Sequence, residues 1–160
     1  VPIVNASLDE QANEIVLHDR YGVGIAVATA GGLIVPVVRD ADKKDIGTIA
    51  REIDRISADA REGRPKLDDL RGGTFTITSV GNIGGLFSTP IINHPEVGIL
   101  GIGKVVRRPV FDENDQVRAA EIVYLSLSFD HRLVDGELGS KVLADTAAAL
   151  EHPRRLMLSR

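Results

Sequence analysis

The stretch Tyr124–Leu143, "YLSLSFDHRLVDGELGSKVL", changes period half-way. Through Phe129 apolar and polar residues alternate, the two-residue period of a half-buried strand; beyond Gly136, Leu138, Val142 and Leu143 recur at helical spacing. A strand that runs straight into a helix predicts helices laid on a sheet. Asp130, His131 and Asp135 sit where the period changes.

Working back from this hinge, "EVGILGIGKVV" and "EIVYLSLSF" read as two strands joined across the polar "DENDQ". "TFTITS" is a β-branched strand followed by the glycine-rich "VGNIGGLFSTP". Further back, "NEIVLHD" reads as a strand, and "YGVGIAVAT" and "GLIVPVV" form a hairpin about Ala30-Gly31-Gly32, with Pro36 forcing an edge position or a bulge. Between these, Ile46, Ile49, Ala50, Ile53, Ile56 and Ala60 mark an amphipathic helix, with Asp42 as its expected N-cap and Gly63 and Pro65 as its stop. The last helix starts near Glu137, buries Leu138, Val142, Leu143, Ala147 and Leu150, and stops at Pro153. The pattern predicts a single mixed domain of strands and a few helices.

Composition narrows the chemistry. In 160 residues there is no cysteine, which removes disulfides, thiolate metal sites and a cysteine nucleophile together. Aromatics are 4% with no Trp and the net charge is −4, so neither base stacking nor a global pull toward nucleic acid is expected. No apolar run approaches bilayer length, so no membrane partner is expected and the reading is of a soluble, intracellular protein. The first residue is Val1, not Met, which fits a fragment or processed product.

Three pieces of chemistry compete for the remaining residues. "GILGIGK" has the glycine and lysine spacing of a phosphate-cradling loop, but Val105 replaces the metal-holding hydroxyl and a strand follows where a helix is required. Metal binding would draw on Asp130, His131, Asp135 and Glu137, yet His18, His94 and His152 lie in separate segments, so no metal is expected. The third candidate is His131 as a general base, since an imidazole with a pKa near ~6.5 accepts a proton at neutral pH. Against it stands the plainer reading that Asp135 caps the last helix and His131 is a satisfied polar neighbour.

"LSLSFDHRLVDG" closely resembles the active-site signature of the catalytic core of the dihydrolipoamide acyltransferases of 2-oxo acid dehydrogenase complexes. HxxxDG alone is weak and is shared with chloramphenicol acetyltransferases; the full string is more specific. "NAS", "GIAVATAGGLIVPVVRDADKK", "GGTFTIT", "TPIINHPEVGILGIGK" and "DHRLVDG" resemble that family's landmarks in order. The resemblance implies an α+β fold, a two-layer α/β sandwich on a mixed sheet of the chloramphenicol acetyltransferase-like, coenzyme A-dependent acyltransferase kind, with residues 1–160 as the C-terminal two-thirds of one catalytic domain and no lipoyl or peripheral-subunit-binding domain.

Carried over, it makes His131 the general base, Thr78 the oxyanion donor with Ser79 as the neighbouring alternative, and Asp135 a carboxylate that shapes the site through an Arg from the part of the domain not represented here. Ser79, Lys104 and Arg107, with Arg108 beside them, are the candidate coenzyme A contacts, although basic residues so placed more often belong to a solvated strand end. The implied partners are a homotrimer with its site between subunits, a cubic or icosahedral core built from trimers, lipoyl domains, and the 2-oxo acid dehydrogenase and dihydrolipoamide dehydrogenase components. The implied location is the bacterial cytoplasm, or the mitochondrial matrix in a eukaryote. Two other readings remain at this point: a related acyltransferase with another acceptor, and a non-catalytic assembly fragment.

Overall fold

The computed structural model describes residues 1–81 and 85–154. Its frame is a five-stranded sheet with strand order β11-β8-β7-β3-β6, in which β3 (Val23–Ile25), β7 (Phe75–Ser79) and β8 (Gly98–Ile102) are parallel. The edge strands β6 (Val37–Val38) and β11 (Leu125–Phe129) run antiparallel to their neighbours. Two-stranded ribbons project from this frame: β1 (Ala6–Asp9) with β2 (Glu14–Leu17), β4 (Val27–Thr29) with β5 (Gly32–Ile34), and β9 (Val106–Phe111) with β10 (Val117–Ile122). Helix α1 (Ile46–Arg61) packs on β4 and β6, and α2 (Gly136–Glu151) packs on β11.

Runs that read as single strands divide where they leave the sheet. "YGVGIAVAT" becomes β3 and β4, broken at Ala26, whose N–H turns to the Ile77 carbonyl at 2.9 Å. Pro36 splits the following run into β5 and β6 and places β6 on the edge, as a residue without an N–H requires; its carbonyl still accepts from Ile25 at 2.8 Å. The two segments on either side of "DENDQ" are one long hairpin whose inner halves, β8 and β11, join the sheet while β9 and β10 extend beyond it. Strand β1 has too little alternation to be seen in sequence; it is specified by pairing with β2, Ala6 opposite Leu17.

The cap of α1 differs from expectation. Asp42 lies in a separate 3-10 turn, Ala41–Lys43, and Asp45 is the N-cap, accepting the Thr48 N–H at 2.7 Å and the Thr48 hydroxyl at 3.0 Å. Both aspartates stand ahead of the apolar period, and the Thr three positions after Asp45 donates to its carboxylate through both backbone N–H and hydroxyl. Of the expected apolar face, Ile56 and Ala60 are buried while Ile46 is exposed. On α2, Leu138, Val142, Leu143 and Ala147 are half-buried and Leu150 is exposed, so this face is only partly covered within one chain.

The apolar cluster most relevant to the hinge joins three distant segments. Ala6, Val97 and Val134 are fully buried together, with Ile3, Val4, Phe129, Leu133 and Leu138 around them. Val134 thus ties the turn after β11 to β8 and to the chain's first residues. Helix α2 approaches β11 at Gly139, where an added Cβ would lie 2.4 Å from the Phe129 ring.

Candidate active site

The turn that carries His131 is held at both ends. Asp130 N–H continues the β11 ladder by donating to the Val97 carbonyl at 2.8 Å, and the Asp130 carbonyl accepts from Leu133 and Val134 at 3.0 Å each. The Asp130 carboxylate takes a two-pronged bond from Arg132, Nε to Oδ1 at 3.0 Å and Nη2 to Oδ2 at 2.6 Å, and Arg132 Nη1 reaches Glu10 at 2.8 Å. That guanidinium holds the Asp130 carboxyl below its usual range. His131 itself is exposed, its ring 5.7 Å from that of Phe129. Asp135 then ends the turn as the N-cap of α2, with Oδ1 accepting Leu138 N–H at 2.8 Å. The capping role that spacing suggested for Asp135 is therefore present.

Beside this turn lies a buried carboxyl that sequence reading passed over. Glu96, 7% exposed, accepts from the Thr76 hydroxyl at 2.5 Å and from Asn93 Nδ2 at 3.1 Å, one residue before the Val97 carbonyl that receives Asp130. Burial pushes its pKa up, with the two hydrogen bonds opposing. A raised acid favours folding at low pH, and that contribution is lost as pH rises above the ordinary value of 4.5 through the folded-state pKa. Urea unfolding of Glu96→Gln over such a pH series should show a shallower decline than wild type. Equal slopes would mean that Glu96 titrates as an ordinary carboxylate.

Thr78 occupies a different part of the sheet. It faces Gly101 of β8, which faces Ser126 of β11, so all three point to one side. That side carries Thr76, Thr78, Ser126 and Ser128, while Phe75, Ile77, Leu125, Leu127 and Phe129 point to the other. With no side chain at Gly101, Ser126 Oγ and Ser88 Oγ come within 2.6 and 3.1 Å of where its Cβ would be. Thr78 therefore stands in a hydroxyl cluster that sequence order concealed; the alternation "SLS" against "TIT" was its one visible trace. Ser79 faces away from that cluster, is exposed, and has its Oγ engaged by Gly81 N–H at 3.1 Å.

His131 and Thr78 are not together within one chain. Along β8, His131 is tied to the Val97 end and Thr78 to Gly101, a strand length of about 13 Å at ~3.3 Å per residue, with two strand spacings between them sideways. A base and an oxyanion donor acting on one carbonyl must each approach it to about 3 Å. Within one chain His131 and Thr78 therefore lie toward opposite ends of the sheet. Lys104 lies at the Thr78 end, just past β8; Arg107 faces Glu121 across the β9–β10 ribbon, and Arg108 donates to the Tyr124 hydroxyl at 3.2 Å and lies over its ring. Among the described residues no group of three or more His, Asp and Glu side chains is arranged as a metal site.

Residues 1–158 match the model of the 2-oxoacid dehydrogenases acyltransferase (catalytic domain) family. The chain belongs to that family. It is 43% identical over 157 residues to the dihydrolipoyllysine-residue acetyltransferase component of the pyruvate dehydrogenase complex of Staphylococcus aureus, covering 98% of this chain and 36% of that protein. Among solved structures, an Azotobacter vinelandii dihydrolipoamide acetyltransferase superposes with a TM-score of 0.91 at 35% identity, over 98% of this chain and 64% of that one. Its description concerns the catalytic role of a serine, a histidine and an asparagine. The cubic core of a pyruvate dehydrogenase multienzyme complex matches with the same TM-score at 34% identity, over 98% and 64% of the two chains. A chloramphenicol acetyltransferase, at 17% identity and a TM-score of 0.50 over 88% of this chain and 65% of that one, shares the fold, as the family resemblance implied. This chain spans about a third of the curated relative's length.

Proposed function

We propose that this chain transfers an acyl group between the thiol of dihydrolipoamide, carried on a lipoyl-lysine, and coenzyme A. His131 takes the proton from the attacking thiol; the thiolate adds to the thioester carbonyl; the tetrahedral adduct then expels the other sulfur, which recovers the proton from the imidazolium. Thr78 donates a hydrogen bond to the adduct's oxyanion. Both substrates bring their own sulfur, so the reaction requires no cysteine nucleophile from the chain. The observation that carries the reading is the family match over residues 1–158; on this reading the separation of His131 from Thr78 along the sheet means that a site using both joins the His131 end of one chain to the Thr78 end of another.

The Azotobacter vinelandii relative supports the assignment. Its named histidine and asparagine are four positions apart, the spacing of His131 and Asp135, and Asn and Asp are equivalent as helix caps. Its named serine lies 52 positions before the histidine, which by bare count corresponds to Ser79, one residue past Thr78. Residue orientation favours Thr78, because Ser79 Oγ is engaged by Gly81 and faces away from the hydroxyl cluster.

On this reading residues 1–160 are the greater part of one catalytic domain, the lipoyl group arrives on a separate domain, and the chain assembles as trimers into a larger core served by the 2-oxo acid dehydrogenase and dihydrolipoamide dehydrogenase components. Assaying the assembled protein with dihydrolipoamide and acetyl-, isobutyryl- and succinyl-coenzyme A in parallel tests it. Transfer from at least one donor is expected; none from any would contradict the assignment.

A further inference from the structure

Three arginines far apart in sequence meet at the end of the sheet where β3 and β7 begin and β6 ends. Arg20, Arg39 and Arg71, with Gly22, Asp40 and Gly72, line a recess of about 350 Å³. Its floor is glycine backbone. An added Cβ at Gly22 would fall 2.1 Å from the Gly72 carbonyl oxygen, and Gly72 has φ +83°, so these two glycines let the segments bearing Arg20 and Arg71 run side by side. Each arm is anchored through its backbone or one nitrogen. The Arg20 carbonyl accepts from the buried Asn5 side chain at 2.9 Å, and Arg39 Nη2 donates to the Asp68 carbonyl and, at 3.4 Å, to that of Arg71.

The charge in this recess is only partly offset: Asp40 lines it, and Arg39, behind Lys43 and Arg55 respectively, helps to lower the Asp40 and Asp69 carboxyls. The Asp40 carboxylate at its edge is bonded to Lys43 at 2.9 Å, and nearby Asp69 is bonded to Arg55 at 2.8 Å. No carboxylate lies within salt-bridge distance of the Arg20 or Arg71 guanidinium among the described residues. A carboxylate ligand would satisfy one guanidinium fork; the forks of Arg20 and Arg71, with the Arg39 nitrogens not bonded to carbonyls, call for an anion with more oxygens. The geometry points to a binding site for a phosphate monoester or diphosphate, held by Arg20 and Arg71 with Arg39 bridging them. This goes beyond the acyl-transfer reading and stands without it, since the site is separate from Thr78 and is read by binding.

Titration calorimetry of the whole chain with pyrophosphate, adenosine 3′,5′-bisphosphate and, as a contrast, acetate tests it. Pyrophosphate should bind in preference to acetate and shift the amide resonances of Gly22 and Gly72. Arg20→Gln/Arg71→Gln, two exposed side chains, should weaken it by about tenfold or more while circular dichroism stays unchanged, as expected for the loss of charge-assisted bonds. If coenzyme A weakens in parallel while its 3′-dephospho form does not, the ligand phosphate is that of a nucleotide; if pyrophosphate alone weakens, it is a free anion. No pyrophosphate binding by the wild-type chain, or equal binding by wild type and variant with Gly22 and Gly72 unmoved, would overturn the site.

Discussion

Replacing His131 with alanine is expected to lower kcat for acyl transfer by about 10²- to 10⁴-fold, the usual contribution of a positioned general base. The imidazole would be the group that deprotonates the attacking sulfur. Its loss should cost little stability, because the turn is held without it: by the Asp130–Val97 backbone bond, the Arg132–Asp130 pair, buried Val134 and the Asp135 cap. His131 is exposed, and its ring lies 5.7 Å from that of Phe129. Steady-state assays beside thermal melts should therefore separate a lost reaction from a retained fold. Turnover near that of wild type would remove His131 from the mechanism.

Thr78→Ala is the second large effect, a fall in kcat of about 10²- to 10³-fold, or roughly 3 kcal/mol of transition-state stabilisation. The oxyanion exists only near the transition state, so KM should change little. Thr78→Ser should retain most of the rate, since it keeps the hydroxyl. Ser79→Ala provides the contrast: its hydroxyl is engaged by Gly81 N–H and faces away from the Gly101 cluster, so turnover should stay close to wild type. If the two alanine variants exchange these phenotypes, the bare count of residues to the histidine is the better guide and the orientation argument is wrong.

Much of this organisation is legible in the sequence, where local period and composition act alone. The β11-to-α2 hinge, α1 and its glycine stop, and the edge placement of β6 by Pro36 all follow from patterns within a dozen residues. Features set by pairing between distant segments are not legible. Strand β1 is specified by β2, and Ala26 leaves the sheet because Ile77 offers it a carbonyl. The cap of α1 was misplaced to Asp42 because two aspartates precede the helix and only their geometry shows Asp45 bonded to Thr48.

The candidate site divides in the same way. His131 and Asp135 are visible because they share one short motif, and Thr78 because it stands fourth in "FTIT", a run that resembles the family's. Their separation is not visible, since it depends on β11 and β7 lying on either side of β8 in opposite directions. Glu96 and the three arginines escaped notice for the same reason, each being brought to its neighbours by the sheet.

The separation of the half-sites admits a direct test. His131→Ala and Thr78→Ala proteins, each nearly inactive, are dissociated, mixed in equal amounts and reassembled. If each site takes its base from one chain and its oxyanion donor from the neighbour, random mixing gives about a quarter of the interfaces both native halves, and the activity should return to about that fraction of wild type. Mixed assemblies that stay as inactive as their parents would place both groups in a single chain and contradict the shared site.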